Sequence, residues 1–405
     1  MYPTPNSEGH TSICHDFSRE WKKMGHDVKV IHFKSIFPII FYQLASLFRS
    51  VAIKIAGNDN IDLVRTYEDV FFIKDDVSIY SFPIFKYFPH GKYQKNTISD
   101  KVKKIDNLLK LEKFKPDIII GHFYNPQIEI VSRLKRLYPD SKSCIVLHEK
   151  VEIIQKLYSK KLFQYKDYID VWGFRSESLR RGFENIYWKS NGSFINYSGI
   201  PNEFINKKIN PNLTIKLRNF LYVGQLIERK FPSSLVPALK KAIPSGEYSI
   251  TYVGSGSKDK DIISAAKKNG TLANISLKGK ISRKEVLGYY DHSDCFIMIS
   301  KNEAFGLVYL EAMSRGCITI AARNEGMDGV IIHGINGFLC EAGNSVELAD
   351  LIIHIDAISE VELMRISKKA IETANKMSNE KTARNYIEAI QCSKVDSLKN
   401  KKIEG

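Results

Sequence analysis

The chain has no paired cysteines. Its six, Cys14, Cys144, Cys295, Cys317, Cys340 and Cys392, lie far apart with no Cys-x-x-Cys spacing. That argues against a disulfide framework or a zinc site and fits a reducing compartment. No run of 18 apolar residues is present, so no segment reads as a membrane span. Internal repeats and low-complexity tracts are missing as well. Acidic residues are in short supply, 45 against 60 Lys and Arg, which leaves a formal charge of +15. Such a surplus draws a protein to nucleic acid, anionic membrane or phosphorylated small molecules. There is no zinc knuckle, RNP-like stretch or Arg-rich arm to go with it, so nucleic acid is only the runner-up partner.

What is present suits a two-domain α/β protein. At 405 residues, with 43% hydrophobic and 26% charged side chains, the chain can bury two cores of ordinary size. Residues 10–24 place Ile13, Phe17, Trp21 and Met24 on one helical face, and after Gly25 residues 28–33 read as a strand. Ser99 can cap a helix carrying Ile105, Leu108 and Leu109. A buried strand over 117–121, a helix over 126–138 and a strand over 143–148 follow. Leu213 to Gly224 restarts the pattern, and helices over 360–374 and 379–392 close it. This alternation predicts doubly wound parallel sheets. Residues 35–57 carry only Arg49 and Lys54 as charges. From Ile39 onward they form either a helix in the membrane interface or one packed on the first sheet.

The densest chemical signal is Glu303-Ala304-Phe305-Gly306-Leu307-Val308-Tyr309-Leu310-Glu311. An apolar run over 297–300 precedes it with strand character, and residues 307–315 have helix character ending at Gly316, a natural C-cap. A strand–loop–helix of this kind offers free N–H groups and a positive helix terminus, which suit a phosphate. Two carboxylates facing that anion would repel it, so they bind neutral hydroxyls beside it. A molecule with both parts is a nucleotide sugar.

This stretch resembles the Glu-x7-Glu signature of the family 4 retaining glycosyltransferases, the group 1 glycosyl transferases. Around it, residues 294–297 and 311–316 resemble the same family, as does the 333–339 strand turn. Upstream, residues 221–230 resemble its donor loop, residues 250–256 its glycine turn, and residues 197–201 its hinge with Tyr197 and Ser198 in place of Pro and Asn. The elements keep the family's order across residues 215–375.

The resemblance implies a GT-B fold, two Rossmann-like domains with parallel sheets facing across a cleft. It implies an acceptor-binding domain over 1–208, a nucleotide-sugar-binding domain over 209–375, and over 376–405 a helix crossing back to the first domain, followed by a tail. Relatives carry a strand immediately before the motif that opens here at Tyr2-Pro3, so the central first strand is expected to be missing and the true start to lie upstream. The implied reaction is transfer of a hexose, with retention, from a nucleotide diphosphate sugar to a glycan or lipid-linked glycan acceptor such as an O-antigen or capsule repeat. Its place is the cytoplasm, peripheral on the inner face of the plasma membrane. A catalytically weak sugar-nucleotide binder or assembly subunit is the alternative within the fold.

The implied catalytic residues are Glu303, His148 and Lys230. Donor contacts fall to Gly9, Gly224, Gln225, Arg229, Lys230, Gly254, Ile281, Glu303, Phe305, Gly306, Leu307 and Glu311. Lys230 and Arg229 would stabilise the leaving diphosphate, Glu311 the ribose, Glu303 the sugar hydroxyls, and residues 280–283 the base. The departing phosphate takes the acceptor proton, so Glu303 is electrostatic support rather than a nucleophile. The family usually has Arg at the position of Gln225, so one expected cation is absent, and Ala304 replaces a frequent Gly. His148 and His122 end strands on the cleft side or are satisfied structural residues, and Arg175, Ser176 and Glu177 line the acceptor side. Asp259 and Asp261 match Asp-x-Asp, the metal motif of the other major glycosyltransferase fold. On a helix they point about 200° apart and cannot share an ion. No metal or other cofactor is expected.

Overall fold

A computed structural model describes residues 13–47, 67–88, 91–189, 192–205 and 216–393. Gly9, the opening Tyr2-Pro3, the 35–57 segment beyond Leu47 and the expected domain boundary at 208/209 lie outside them. The chain forms two compact units. The first takes the chain up to Phe174, Gly182–Asn196 and the chain from Ala383, and the second Arg175–Arg181 and Tyr197–Thr382.

In the first unit α1 (Ile13–Lys23) leads to β1 (Lys29–Ile36) and α2 (Ile39–Leu47). A hairpin of β2 (Val70–Lys74) and β3 (Val77–Phe85) follows. Its two-residue turn places Asp75 and Asp76 at φ 49° and 62°, the left-handed geometry that matches the twist of paired strands and that Asp tolerates. Then come α3 (Lys95–Leu111), β4 (Ile118–His122), α4 (Gln127–Leu137), β5 (Lys142–Leu147), α5 (Val151–Tyr158), β6 (Val171–Phe174), α6 (Glu177–Ile186), which counts with the second unit up to Arg181, and β7 (Phe194–Ile195).

The expected parallel sheet is altered here in two ways. β2 runs antiparallel to β3, because a two-residue turn leaves no room for a crossover. The strands also form two sheets, β1-β3-β2 and β4-β5-β6-β7, with β1 paired to β3 and β4 to β5 and neither to any other strand among the described residues. They still belong to one layer. Ile31, Phe33 and Ile119 pack on one apolar cluster with α3 and α4, and Val28, Ile118 and Ile120 pack on another with Phe17, Trp21, Tyr386 and Ile390. Ser99 does not cap α3. It lies in the second turn and donates back to the Lys95 carbonyl at 3.0 Å, and the helix starts earlier, after Gln94.

The second unit holds β8 (Asn219–Val223), α7 (Leu235–Ala242), β9 (Ser249–Val253), α8 (Asp259–Lys268), β10 (Ile275–Leu277), α9 (Arg283–Asp291), β11 (Cys295–Met298), α10 (Leu307–Ser314), β12 (Ile318–Ala322), β13 (Phe338–Cys340), α11 (Ser345–Asp356) and α12 (Glu360–Asn375). α13 (Asn379–Cys392) begins here, and from Ala383 it belongs to the first unit. All six strands are parallel, in the order β10-β9-β8-β11-β12-β13. β11 and β12 are buried along their whole length, as strands covered by helices on both faces must be. In chain order the arrangement reads 3-2-1-4-5-6, the doubly wound order, and its switch point lies between β8 and β11.

Candidate active site

Ligands of doubly wound sheets bind beyond the carboxyl ends of the strands flanking the switch point, where the two connecting loops diverge. Here those loops are 224–230 after β8 and 299–306 after β11. The first is held by glycines. Gly224 and Gly254 adopt φ +153° and +134°, and the Gly224 N–H donates to the Val253 carbonyl at 2.9 Å. A Cβ on Gly254 would lie 2.0 Å from the Gly224 carbonyl oxygen, so two turns touch backbone to backbone with no room for a side chain. Gly254→Ala is therefore expected to cost about 3 kcal/mol in urea unfolding, from strain and overpacking together. An unchanged midpoint would show that these turns can separate.

On this frame three side chains meet. The Lys230 amine lies 3.4 Å and the Arg229 guanidinium 3.5 Å from the same oxygen of Glu303, Oε2. Lys230 and Glu303 are 12% and 15% exposed and Arg229 42%, so the first two are largely withdrawn from water while Arg229 reaches outward. Lys230 also approaches Met298 Sδ at 3.6 Å. The Lys301 N–H donates to the Arg229 carbonyl at 2.7 Å, tying the two loops together. Glu325, which sequence reasoning missed, accepts from the Glu303 N–H at 2.9 Å. Gln225 is exposed, and its carbonyl accepts from the Tyr222 hydroxyl at 3.0 Å.

Gly306 caps α10 at φ +88°, and a Cβ there would strike the Tyr309 ring at 2.5 Å. The first turn of α10 therefore presents N–H groups of Phe305, Gly306 and Leu307 at a positive helix end. The Phe305 side chain is buried, so only its backbone is available. Ala304 is not among the residues with positive φ; Asn302 takes that conformation instead, so Ala in place of Gly is harmless. Ile281 packs against the apolar core.

Glu311 is buried and fully engaged. Arg283 donates to its Oε1 through Nη2 at 2.6 Å and Nε at 3.0 Å, and the Tyr290 hydroxyl donates to Oε2 at 3.1 Å. The Arg283 and Tyr290 side chains were not foreseen. They lie 28 and 21 residues upstream, a separation no local pattern encodes.

Arg175 and Ser176 are buried within the second unit rather than lining an acceptor surface. Arg175 donates to Ser198 at 2.5 Å and its guanidinium lies 5.3 Å over the Phe305 ring. Ser176 accepts from the Leu179 N–H at 3.3 Å, and Glu177 pairs with Arg180 at 2.5 Å. Asp259 accepts from the Gly256 N–H at 3.0 Å, and Asp261 pairs with Lys258 at 2.7 Å. Among the described residues no group of His, Cys, Asp and Glu is arranged to hold a metal ion.

In the first unit, His122 and His148 end β4 and follow β5, with Nδ1 of the former 3.0 Å from Nε2 of the latter. Phe123 stacks on His148 at 4.1 Å. Glu149 accepts from the His148 N–H at 3.2 Å, yet burial pushes its carboxyl up to about 7. A group protonated more readily folded than unfolded loses stability as the pH rises from its unfolded value through the folded one. Glu149→Gln should thus match the wild type near pH 4.5 and exceed it above pH 7 by about 1–3 kcal/mol. A pH-independent difference in melting would place the carboxyl in water.

Comparison with known proteins bears on this arrangement. Residues 205–377 match the family model described as glycosyl transferases group 1. An uncharacterized glycosyltransferase of Methanocaldococcus jannaschii is 28% identical over 192 residues, 47% of this chain and 51% of that protein. The N-acetyl-alpha-D-glucosaminyl L-malate synthase of Bacillus anthracis is 29% identical over 184 residues, 45% and 47% of the two. The chain thus spans about half the length of these curated relatives. In fold, it matches a solved E. coli structure, trehalose-6-phosphate bound with UDP-2-fluoro glucose, with a TM-score of 0.68 at 13% identity, over 96% of this chain and 97% of that one.

Proposed function

We propose that this chain, whose residues 205–377 belong to the group 1 glycosyl transferases, transfers a hexose from a nucleoside diphosphate sugar to a hydroxyl of a lipid-linked glycan, with retention. The observation that carries this reading is the meeting of Lys230, Arg229 and Glu303 at the switch point, beside the N-terminus of α10. In the reaction the bond between the sugar's anomeric carbon and the diphosphate oxygen breaks, and negative charge grows on the departing diphosphate. Lys230 as a point charge and Arg229 as a fork meet that charge. Glu303, relieved of the two cations, turns its carboxylate to sugar hydroxyls. Arg283 releases one oxygen of Glu311 to a ribose hydroxyl.

The acceptor oxygen bonds to the anomeric carbon on the face the diphosphate leaves. Its proton passes to a diphosphate oxygen, so no side-chain base is needed. The +15 charge and the exposed Ile39, Ile40 and Phe88 support an acceptor presented at an anionic membrane surface and, with it, a peripheral position on the inner face of that membrane. A catalytically weak sugar-nucleotide binder is the second reading, favoured by the uncharged Gln225.

Thermal unfolding with UDP, GDP and ADP, free and as sugar conjugates, tests the proposal. One base is expected to raise the melting temperature in the wild type and much less in Glu311→Ala. No shift with any of them overturns donor binding. A shift without release of diphosphate from the sugar conjugate, in the presence of acceptor glycans, selects the binder.

A further inference from the structure

Lys86 is one residue past β3, with its N–H donating to the Ile36 carbonyl at 2.8 Å. It therefore stands at the carboxyl end of the β1–β3 pair. Its side chain is buried, the residue being 8% exposed, but among the described residues no carboxylate pairs with it. The amine lies 4.8 Å over the ring of Tyr93, whose hydroxyl is 2.7 Å from Ser35 Oγ. Burial lowers its pKa to about 8, so near neutral pH it still carries its charge. An ammonium held out of water beside a ring face alone is a cost, since the ring returns only part of the lost hydration. A methionine of similar length would fill the space without that cost. Among the described residues no anion offsets that cost, and an anionic ligand would.

The surroundings indicate which anion. The loop after β3 touches the loop after β4, where Asn125 Nδ2 donates to the Gly91 carbonyl at 3.2 Å. Lys86 thus shares the edge of the unit that carries His122 and His148. Tyr87 and Phe88, which follow it, and Ile39 and Ile40, which follow β1, are all exposed. A buried cation at the strand ends from which exposed apolar side chains follow suits a phosphate attached to something apolar or lying at an interface.

We propose that Lys86 holds a phosphate of the acceptor substrate, so that the acceptor class is a phosphorylated sugar or lipid-linked sugar. This rests on the transferase reading above and names a part of the acceptor for it.

The test is thermal unfolding of the full chain in inorganic phosphate against chloride at equal ionic strength, each measured with and without saturating UDP, which occupies the donor loops. The wild type and Lys86→Arg are expected to gain stability from phosphate. Lys86→Met is expected to bind phosphate about tenfold or more weakly while keeping its response to UDP. An equal phosphate response in Lys86→Met overturns the assignment. Should Lys86→Met fail to fold, acetic anhydride labelling of wild-type Lys86 replaces it; labelling that phosphate does not suppress is the overturning result. A UDP response without a phosphate response removes the Lys86 site and leaves the donor reading standing, and the converse removes the donor reading alone. Flotation with phosphatidylcholine vesicles, with and without phosphatidic acid, separates the sources. Lys86-dependent binding to phosphatidic acid indicates a lipid phosphate. A phosphate response without flotation indicates a soluble phosphorylated acceptor.

Discussion

Lys230→Ala lowers turnover of the nucleotide sugar by about 10²–10³-fold, the loss typical of a preorganised charge removed from a developing anion. It also abolishes stabilisation by the nucleoside diphosphate. The amine is suited to that role because it is already largely desolvated and fixed, 3.4 Å from Glu303 and 3.6 Å from Met298, so little reorganisation accompanies the reaction. The fold should survive the change. Arg229 remains 3.5 Å from Glu303, which leaves that carboxylate paired. The measurements are diphosphate release under saturating donor, the melting shift with diphosphate, and circular dichroism. A variant that turns over like the wild type would remove Lys230 from the reacting centre.

Glu303→Gln separates the two halves of the donor. The amide keeps the shape of the side chain but frees Lys230 and Arg229 from their shared carboxylate. Affinity for the free diphosphate should hold or rise, because the cations no longer have to leave an anion to meet the ligand. Turnover should fall by about 10–100-fold, the worth of a charged hydrogen bond to a sugar hydroxyl. Equal loss of diphosphate affinity and turnover would mean that Glu303 serves only to tie the two loops, through its carboxylate on the cations.

Much of the second unit could be read along the chain because its signals are local. Glycines at 224, 254 and 306 mark turns that other residues adopt only with strain, and the residues beside them carry the chemistry. The apolar run read at 297–300 overlaps β11, Cys295–Met298, which starts two residues earlier and is buried throughout. The first unit was less legible. The Asp75–Asp76 turn sits between strands whose outer one, Val70–Lys74, is largely exposed, so burial imposes no clear alternation there. Ser99 has the chemistry of a cap but falls one turn too late. Arg175 reads as a polar site residue, yet it is buried against Ser198 and Phe305. Pairings such as Arg283 with Glu311 exist only once β10, α9 and α10 are folded together. Gln225 was legible as a departure, and the exposed Arg229, on the same loop and paired to Glu303, shows where the remaining charge stands.

The division of the first unit's strands into two groups has a mechanical consequence. β1 and β4 each offer one side with no ladder partner among the described residues, so their cohesion comes from the helices above and below rather than from neighbouring backbone. A layer held that way opens by sliding apart along the undivided helices, at a lower free energy than the six-stranded layer of the second unit. Unfolding of the molecule would then begin in the half that carries the histidines and Lys86.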